Sequence, residues 1–220
     1  MTARLPSPPR RPGPLRRLRR DERGASLVEY AVSVAMFLML FFALLDFGRL
    51  LYNWVMAEKA MQMAARIAIV RPAVCPGVPQ TNARGSGSTA LDRFGAACND
   101  AANMCAGEAL APIACAGTTV SPTAEEIWTR VHDLLPPNAT RANLRFSYGF
   151  DPRMNFLGGP YVPVVTVELQ NLGFEFVSPL FGLARATGAV VTGPDTPNDI
   201  PFPSMSVSLP GEDLALGMDG

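Results

Sequence analysis

From Ala25 to Leu45 the chain runs 21 residues in which only Ser26, Glu29, Tyr30 and Ser33 are polar. Coiled as a helix, this stretch spans roughly 31 Å, close to the hydrocarbon thickness of a bilayer. The core helix of a soluble protein can be equally apolar, but it has no use for the flank found here. Residues 1–24 hold eight arginines (4, 10, 11, 16, 17, 19, 20 and 23) against Asp21 and Glu22, a balance of +6. The whole chain is formally neutral, so the body beyond residue 24 carries −6. Pro6, Pro8, Pro9, Pro12 and Pro14 exclude a helix in the basic tip. Positive charge beside an apolar span stays in the cytoplasm, which puts the chain beyond the span on the other side. The same distribution argues against nucleic-acid binding, because the body has a single lysine, Lys59, and an acidic balance.

A secretory signal is the nearest rival to a permanent span. Its apolar region is typically ~7–15 residues long and ends at a small-residue cleavage site. Here Ala31–Leu45 reaches the top of that range, and the chain continues in a helical pattern, "DFGRLLYNWVMAEKAMQMAARIAIV", with no proline until Pro72. Ala57, Ala60, Ala64 and Ala68 recur at three- and four-residue spacing and make a flat stripe for close packing. Leu50, Tyr52, Val55, Met56, Met61, Met63 and Ile67 are expected to supply larger contacts around it, while Arg49, Glu58, Lys59, Arg66 and Arg71 mark the part outside lipid. The expectation is one helix over residues 25–71, half in the membrane and half in the periplasm.

Glu29 stands inside the span. An ionised acid near a helix centre costs on the order of 2.5–3.5 kcal/mol on insertion scales, and less near the interface. Glu29 lies about two turns from Arg20 and Arg23, so one reading is a tolerated interfacial carboxylate. The other requires a cationic partner. A cut after Gly24 would create one, since a free α-amino group titrates near pH 8 and is charged at neutral pH. A neighbouring helix displaced along its axis would bring that amine to the carboxylate.

The stretch "RGASLVEYAV" resembles the processing site of type IV prepilins, in which a basic leader ends in glycine and glutamate stands fifth in the mature chain. Gly24 would end the leader, Ala25 would become the N-terminus, and Glu29 and Tyr30 would be the fifth and sixth residues. The Glu-Tyr pair resembles the Flp branch of the tight-adherence (Tad) systems. The stretch "LLDFGRLLYNWVMAEKAMQMAARIAI" is similar to TadE-like proteins, although many of these have Phe after the glutamate. The resemblance covers roughly residues 20–71. It implies a minor pilin or pseudopilin cut by an inner-membrane prepilin peptidase, with Glu29 aiding recruitment into an assembly by meeting a neighbour's amine. Its implied partners are the membrane, the peptidase, other pilin or pseudopilin subunits and the inner-membrane assembly platform. Gly24 suits cleavage, since a residue without Cβ lets a protease approach the backbone.

Beyond the helix, residues 72–122 are rich in Gly and Pro and contain all four cysteines, Cys75, Cys98, Cys105 and Cys115. An even count in an exported segment favours disulfides, and zinc is disfavoured because there is no C-x-x-C and His132 is the only histidine. Three pairings are open. If residues 91–110 were one helix, Cys98 and Cys105 would lie about 10 Å apart, too far to bond. Asn99, Asp100 and Asn103 favour turns instead, which leans toward 98–105 nested inside 75–115. "SPTAEEIWTRVHDLLPP" predicts a short helix capped by Thr123 with Glu126 answering it, with Ile127, Val131, Leu134 and Leu135 as its apolar side and Pro136 at its end.

The remainder alternates as strands do. Leu144, Phe146, Tyr148 and Phe150 share one face, and so do Val165, Val167 and Leu169, with Pro163 confining that strand's start to an edge or bulge. "FEFVSPLFGL" predicts a strand turning into a short apolar helix, with Phe174, Phe176, Leu180 and Phe181 as core or partner surface, while "ATGAVVT" and "SMSVSL" are weaker strands. The expected fold class is therefore α+β, a long N-terminal helix packed on a small antiparallel sheet of three to five strands. The expected organisation is a leader (1–24), a transmembrane and periplasmic helix (25–71), a Cys/Gly/Pro-rich loop region (72–122) and a head (123–220).

Enzyme chemistry finds little support. No G-x-S-x-G, H-E-x-x-H or phosphate-binding loop occurs, and the acids of "GPDTPND" and "PGED" lack a patterned calcium loop. His132 and Asp133, adjacent on a surface helix, are expected to point different ways. The expectation is a non-enzymatic, cofactor-free, single-pass protein of a bacterial inner membrane with its C-terminal domain in the periplasm, or carried into an extracellular pilus. The alternatives are an uncleaved scaffold of the secretion platform and a tethered periplasmic binding or enzyme domain.

Overall fold

The computed structural model describes residues 24–177, 199–212 and 214. Its longest element is helix α1, Ala25–Ile69, about 68 Å of continuous coil at 1.5 Å per residue. Gly48 is its only glycine and it holds no proline, and the chain leaves helical geometry ahead of Pro72, as a proline's restriction of its predecessor requires. Chain contacts divide between Leu45 and Asp46, giving two units.

In the first unit, the described residues are Gly24 and the start of α1, residues 25–45. Their large apolar side chains are exposed, Leu40 at 70 %, Leu44 at 74 % and Phe37 at 65 % among them. A water-soluble domain does not leave a surface of that kind uncovered. α1 is long and apolar enough to cross a membrane.

The second unit, Asp46–Gly220, is an α+β fold. Strands β1 (Ile113–Ala116), β2 (Leu144–Phe150), β3 (Pro163–Leu169) and β6 (Met205–Pro210) form an antiparallel sheet in the order β1-β2-β3-β6. β4 (Gly173–Glu175) and β5 (Asp199–Pro201) form a separate antiparallel pair. The register aligns Ile113, Tyr148, Val165 and Leu209 in one row and Cys115, Phe146, Val167 and Val207 in the next. These rows face Ala57, Ala60, Met61, Ala64, Ala65 and Ala68 of α1 in one apolar core, which also takes in Ile127 and Val131. Alternation in β2 and β3 thus places every second residue inside, as the sequence predicts. β3 is a central strand, and Pro163 is tolerated there because it is the first residue, opposite Phe150 at the strand's end.

All four alanines of the stripe are fully buried, together with Ala65 and Met61. Tyr52, Val55 and Met63, expected to add contacts, are exposed at 65 %, 51 % and 41 %. Their angular position turns them away from the sheet, which a stripe of small residues cannot reveal. Enlarging the stripe is expected to destabilise the fold. Ala64→Leu should cost about 1–3 kcal/mol by overpacking, measured as a shift in the denaturation midpoint, whereas Met63→Leu should be nearly silent.

Helix α2 spans Pro122–Val131 and ends in a 3₁₀ turn, His132–Leu134. Its N-cap is Ser121 with Pro122 in the first turn, a correction to the expected cap at Thr123. Proline supplies the preset φ, and the Thr123 hydroxyl instead donates to the Pro72 carbonyl at 2.8 Å. That bond and the Arg71–Glu126 ion pair at 3.0 Å tie α2 to the end of α1. Segment 72–122 contributes β1 and carries both disulfides, Cys75–Cys115 and Cys98–Cys105. Asn103 adopts a left-handed turn (φ 55°) inside the smaller loop, as an asparagine can.

Around Cys98–Cys105 lies a second small core of Met104 and Leu157, with Phe150 against it. A buried amide pair holds it together with the isolated antiparallel bridges Thr81–Pro160, Arg84–Cys105 and Ala97–Phe156. Asn82 Nδ2 donates to Asn155 Oδ1 (2.9 Å) and to the Pro160 carbonyl, and Asn155 Nδ2 donates to the Asp151 and Val162 carbonyls. Phe94 lies over Gly158, whose φ of +77° and missing Cβ admit the ring. Residues 1–23, Leu180, Phe181, "ATGAVVT" and most of "GPDTPND" lie outside the described residues.

Tyr148 links the two layers. Its ring is 1 % exposed, and its hydroxyl accepts the Val74 N–H at 2.9 Å. Burial raises its pKa above the ordinary 10.0, and the Val74 bond only partly offsets this. The unfolded chain therefore ionises at lower pH than the folded one, so this contribution is intact below pH 10.0 and is lost as pH rises past it. Melting temperature should fall above that point in the native chain, and less steeply in Tyr148→Phe.

Candidate functional site on the N-terminal helix

Gly24 stands immediately before α1, with Ala25 as the first helical residue. A Cβ built on Gly24 would meet nothing within 4 Å. Packing within the described chain therefore does not demand glycine at this position. Glu29 is one turn into the helix and exposed, with Tyr30 beside it at 71 % exposure. Among the described residues Glu29 has no hydrogen bond or ion pair, and its neighbours on the same helix face are Ala25, Ser26, Val32 and Ser33, none of them charged. The four positions thus lie within two turns, at the end of a helix whose surface is otherwise suited to lipid. The arrangement presents a lone carboxylate about 6 Å along the axis from the backbone nitrogen of Ala25.

A second polar feature has no counterpart among the sequence-based expectations. Asp46, the first residue after the apolar run, is 3 % exposed. Its carboxylate accepts the Val177 N–H at 3.3 Å and faces Arg49 Nη1 at 3.4 Å. Arg49 in turn lies 5.7 Å above the Phe174 ring, Phe174 meets Phe176 edge-on at 5.5 Å, and Phe176 meets Phe47 at 6.2 Å. A cleft of about 400 Å³ opens beside this cluster, lined by Arg49, Asn53, Asn138 and Phe174 among others. An acid directly after an apolar run was the available signal, but only the fold shows that the end of β4 covers it.

His132 and Asp133 do not point apart as expected. The imidazole Nε2 lies 3.0 Å from Asp133 Oδ1, and Nδ1 lies 3.1 Å from the Trp128 carbonyl. The 3₁₀ turn that replaces the last helical turn brings the adjacent side chains together. The pair is at the surface, with Asp133 83 % exposed. Among the described residues no group of three His, Cys, Asp or Glu side chains could hold a metal ion.

A family model described as TadE-like protein matches residues 24–66. The match begins at Gly24 and takes in Glu29, the apolar run, Asp46 and most of the buried alanine stripe. Neither a comparison with curated proteins nor one with solved structures gave a match.

Proposed function

We propose that this chain, with its TadE-like segment and a helix able to cross a membrane, is a minor pilin or pseudopilin of a tight-adherence (Flp-type) pilus system. In this reading the basic tip stays in the cytoplasm and the α+β unit is periplasmic. A prepilin peptidase cuts between Gly24 and Ala25, and the freed amine of Ala25 then meets Glu29 of an adjacent subunit as the helix enters an assembly. One observation carries the reading: a glycine that packing among the described residues does not demand is followed, five residues on, by an exposed carboxylate in an apolar helix, with no partner among the described residues. A charge in that setting costs free energy unless something pairs with it.

Deleting the gene in its own host tests the role. Loss of surface pili, with the major pilin still present in the membrane, is the expected result. Unchanged pili and adherence would refute it.

A further inference from the structure

We propose that the base of the α+β unit, built from Phe47, Arg49, Phe176 and Val177, docks on the phospholipid headgroups of the membrane that α1 crosses; this rests on the reading of residues 25–45 as the span. A bilayer is about 30 Å thick in its hydrocarbon and about 40–45 Å with headgroups, which leaves roughly 5–8 Å per leaflet, or about three to five helical residues. With the hydrocarbon boundary at Leu45, residues 46–50 occupy that layer. β4 and the two residues after it are tied to this same stretch, through Val177 to Asp46, Phe176 to Phe47 and Phe174 to Arg49. Whatever depth residues 46–49 take, the end of β4 must share it.

The chemistry of the patch fits lipid headgroups. Phe47 is 55 % exposed and Val177 76 %, a costly surface in water but a suitable one at the glycerol level. Arg49 is the half-exposed cation of the patch, placed to meet phosphate. The acid that α1 carries at that depth, Asp46, is withdrawn from lipid and held by the Val177 amide and Arg49. Glu175 lines the cleft together with Arg49. Phe47 and Arg49 follow the apolar run within four residues in sequence, which favours lipid over a second protein as the occupant.

Depth-dependent fluorescence quenching of the full chain tests this. In a Trp54→Phe, Trp128→Phe background, single reporters are placed as Val177→Trp, Phe47→Trp and Leu38→Trp. Each is reconstituted in phosphatidylethanolamine–phosphatidylglycerol vesicles whose acyl chains carry bromine near the headgroup or near the terminal methyl. Intact disulfides and an unchanged circular dichroism spectrum establish that each variant is folded. The expected result is loss of emission at Val177→Trp and Phe47→Trp with shallow bromine, protection of both from aqueous iodide, and quenching of Leu38→Trp by deep bromine. Quenching of Leu38→Trp with a Val177→Trp reporter that answers only to iodide would overturn the docking and leave the span intact. A Leu38→Trp reporter untouched by either lipid would overturn the span, and the docking with it.

Discussion

Replacing Cys75 and Cys115 together with alanine is expected to destabilise the α+β unit by about 4 kcal/mol, while the Cys98/Cys105 pair should cost only about 2.5 kcal/mol. The two differ because the bonds close loops of different length, with sequence separations of 40 and 7 residues. A longer loop removes more conformational freedom from the unfolded chain. Position adds to the difference. Cys75 is 2 % exposed in the main core, where it comes just after the end of α1, and Cys115 lies on β1 beside Phe146. The bond thus fastens the edge of the sheet to the helix, whereas Cys98–Cys105 staples a small lobe that the Asn82–Asn155 amides also hold. Urea unfolding of the detergent-solubilised variants measures both. Equal losses, or a larger loss for the short loop, would contradict this account of what the long one does.

Glu29→Ala should reduce incorporation into pili by at least about a hundredfold without lowering the amount of protein in the membrane. Removing one partner of a desolvated ion pair typically costs about 3–5 kcal/mol, because the remaining charge is left buried alone, and each 1.4 kcal/mol is about tenfold. Insertion itself becomes easier once the carboxylate is gone, so a fall in protein level is not expected. Glu29→Asp keeps the charge on a shorter arm and should restore part of the incorporation. The measurement is the ratio of this protein in sheared pili to that in membranes. An uncleaved scaffold predicts no change in any of these variants, and that outcome would remove the pairing from the account.

How far the sequence alone reaches depends on whether a feature repeats. α1 was legible because apolar residues, then alanines at helical spacing, continue without a break to Pro72. β2 and β3 were legible because Leu144, Phe146 and Tyr148, and Val165, Val167 and Leu169, alternate strictly. β1 was not, since "IACA" is too short to show a period and lies among glycines and prolines. The buried amides Asn82 and Asn155 are 73 residues apart and isolated, so nothing local distinguishes them from loop asparagines on the surface. Thr123 carried a capping pattern, yet Pro122 won the first turn and freed its hydroxyl for Pro72. At the candidate site the order is reversed. Gly24, Ala25, Glu29 and Tyr30 are visible as a motif, while the fold adds only that glycine is not demanded by packing and that Glu29 has no partner among the described residues. The covered Asp46 emerged from tertiary structure alone.

The central claim is that Gly24 and Ala25 are separated in the mature protein. Intact-mass measurement with N-terminal sequencing of the protein extracted from host membranes tests it directly. The account predicts Ala25 as the first residue, and retention of the basic leader ahead of Ala25 when the prepilin peptidase is deleted. A chain that still carries the leader with the peptidase present and active on the major pilin would contradict it.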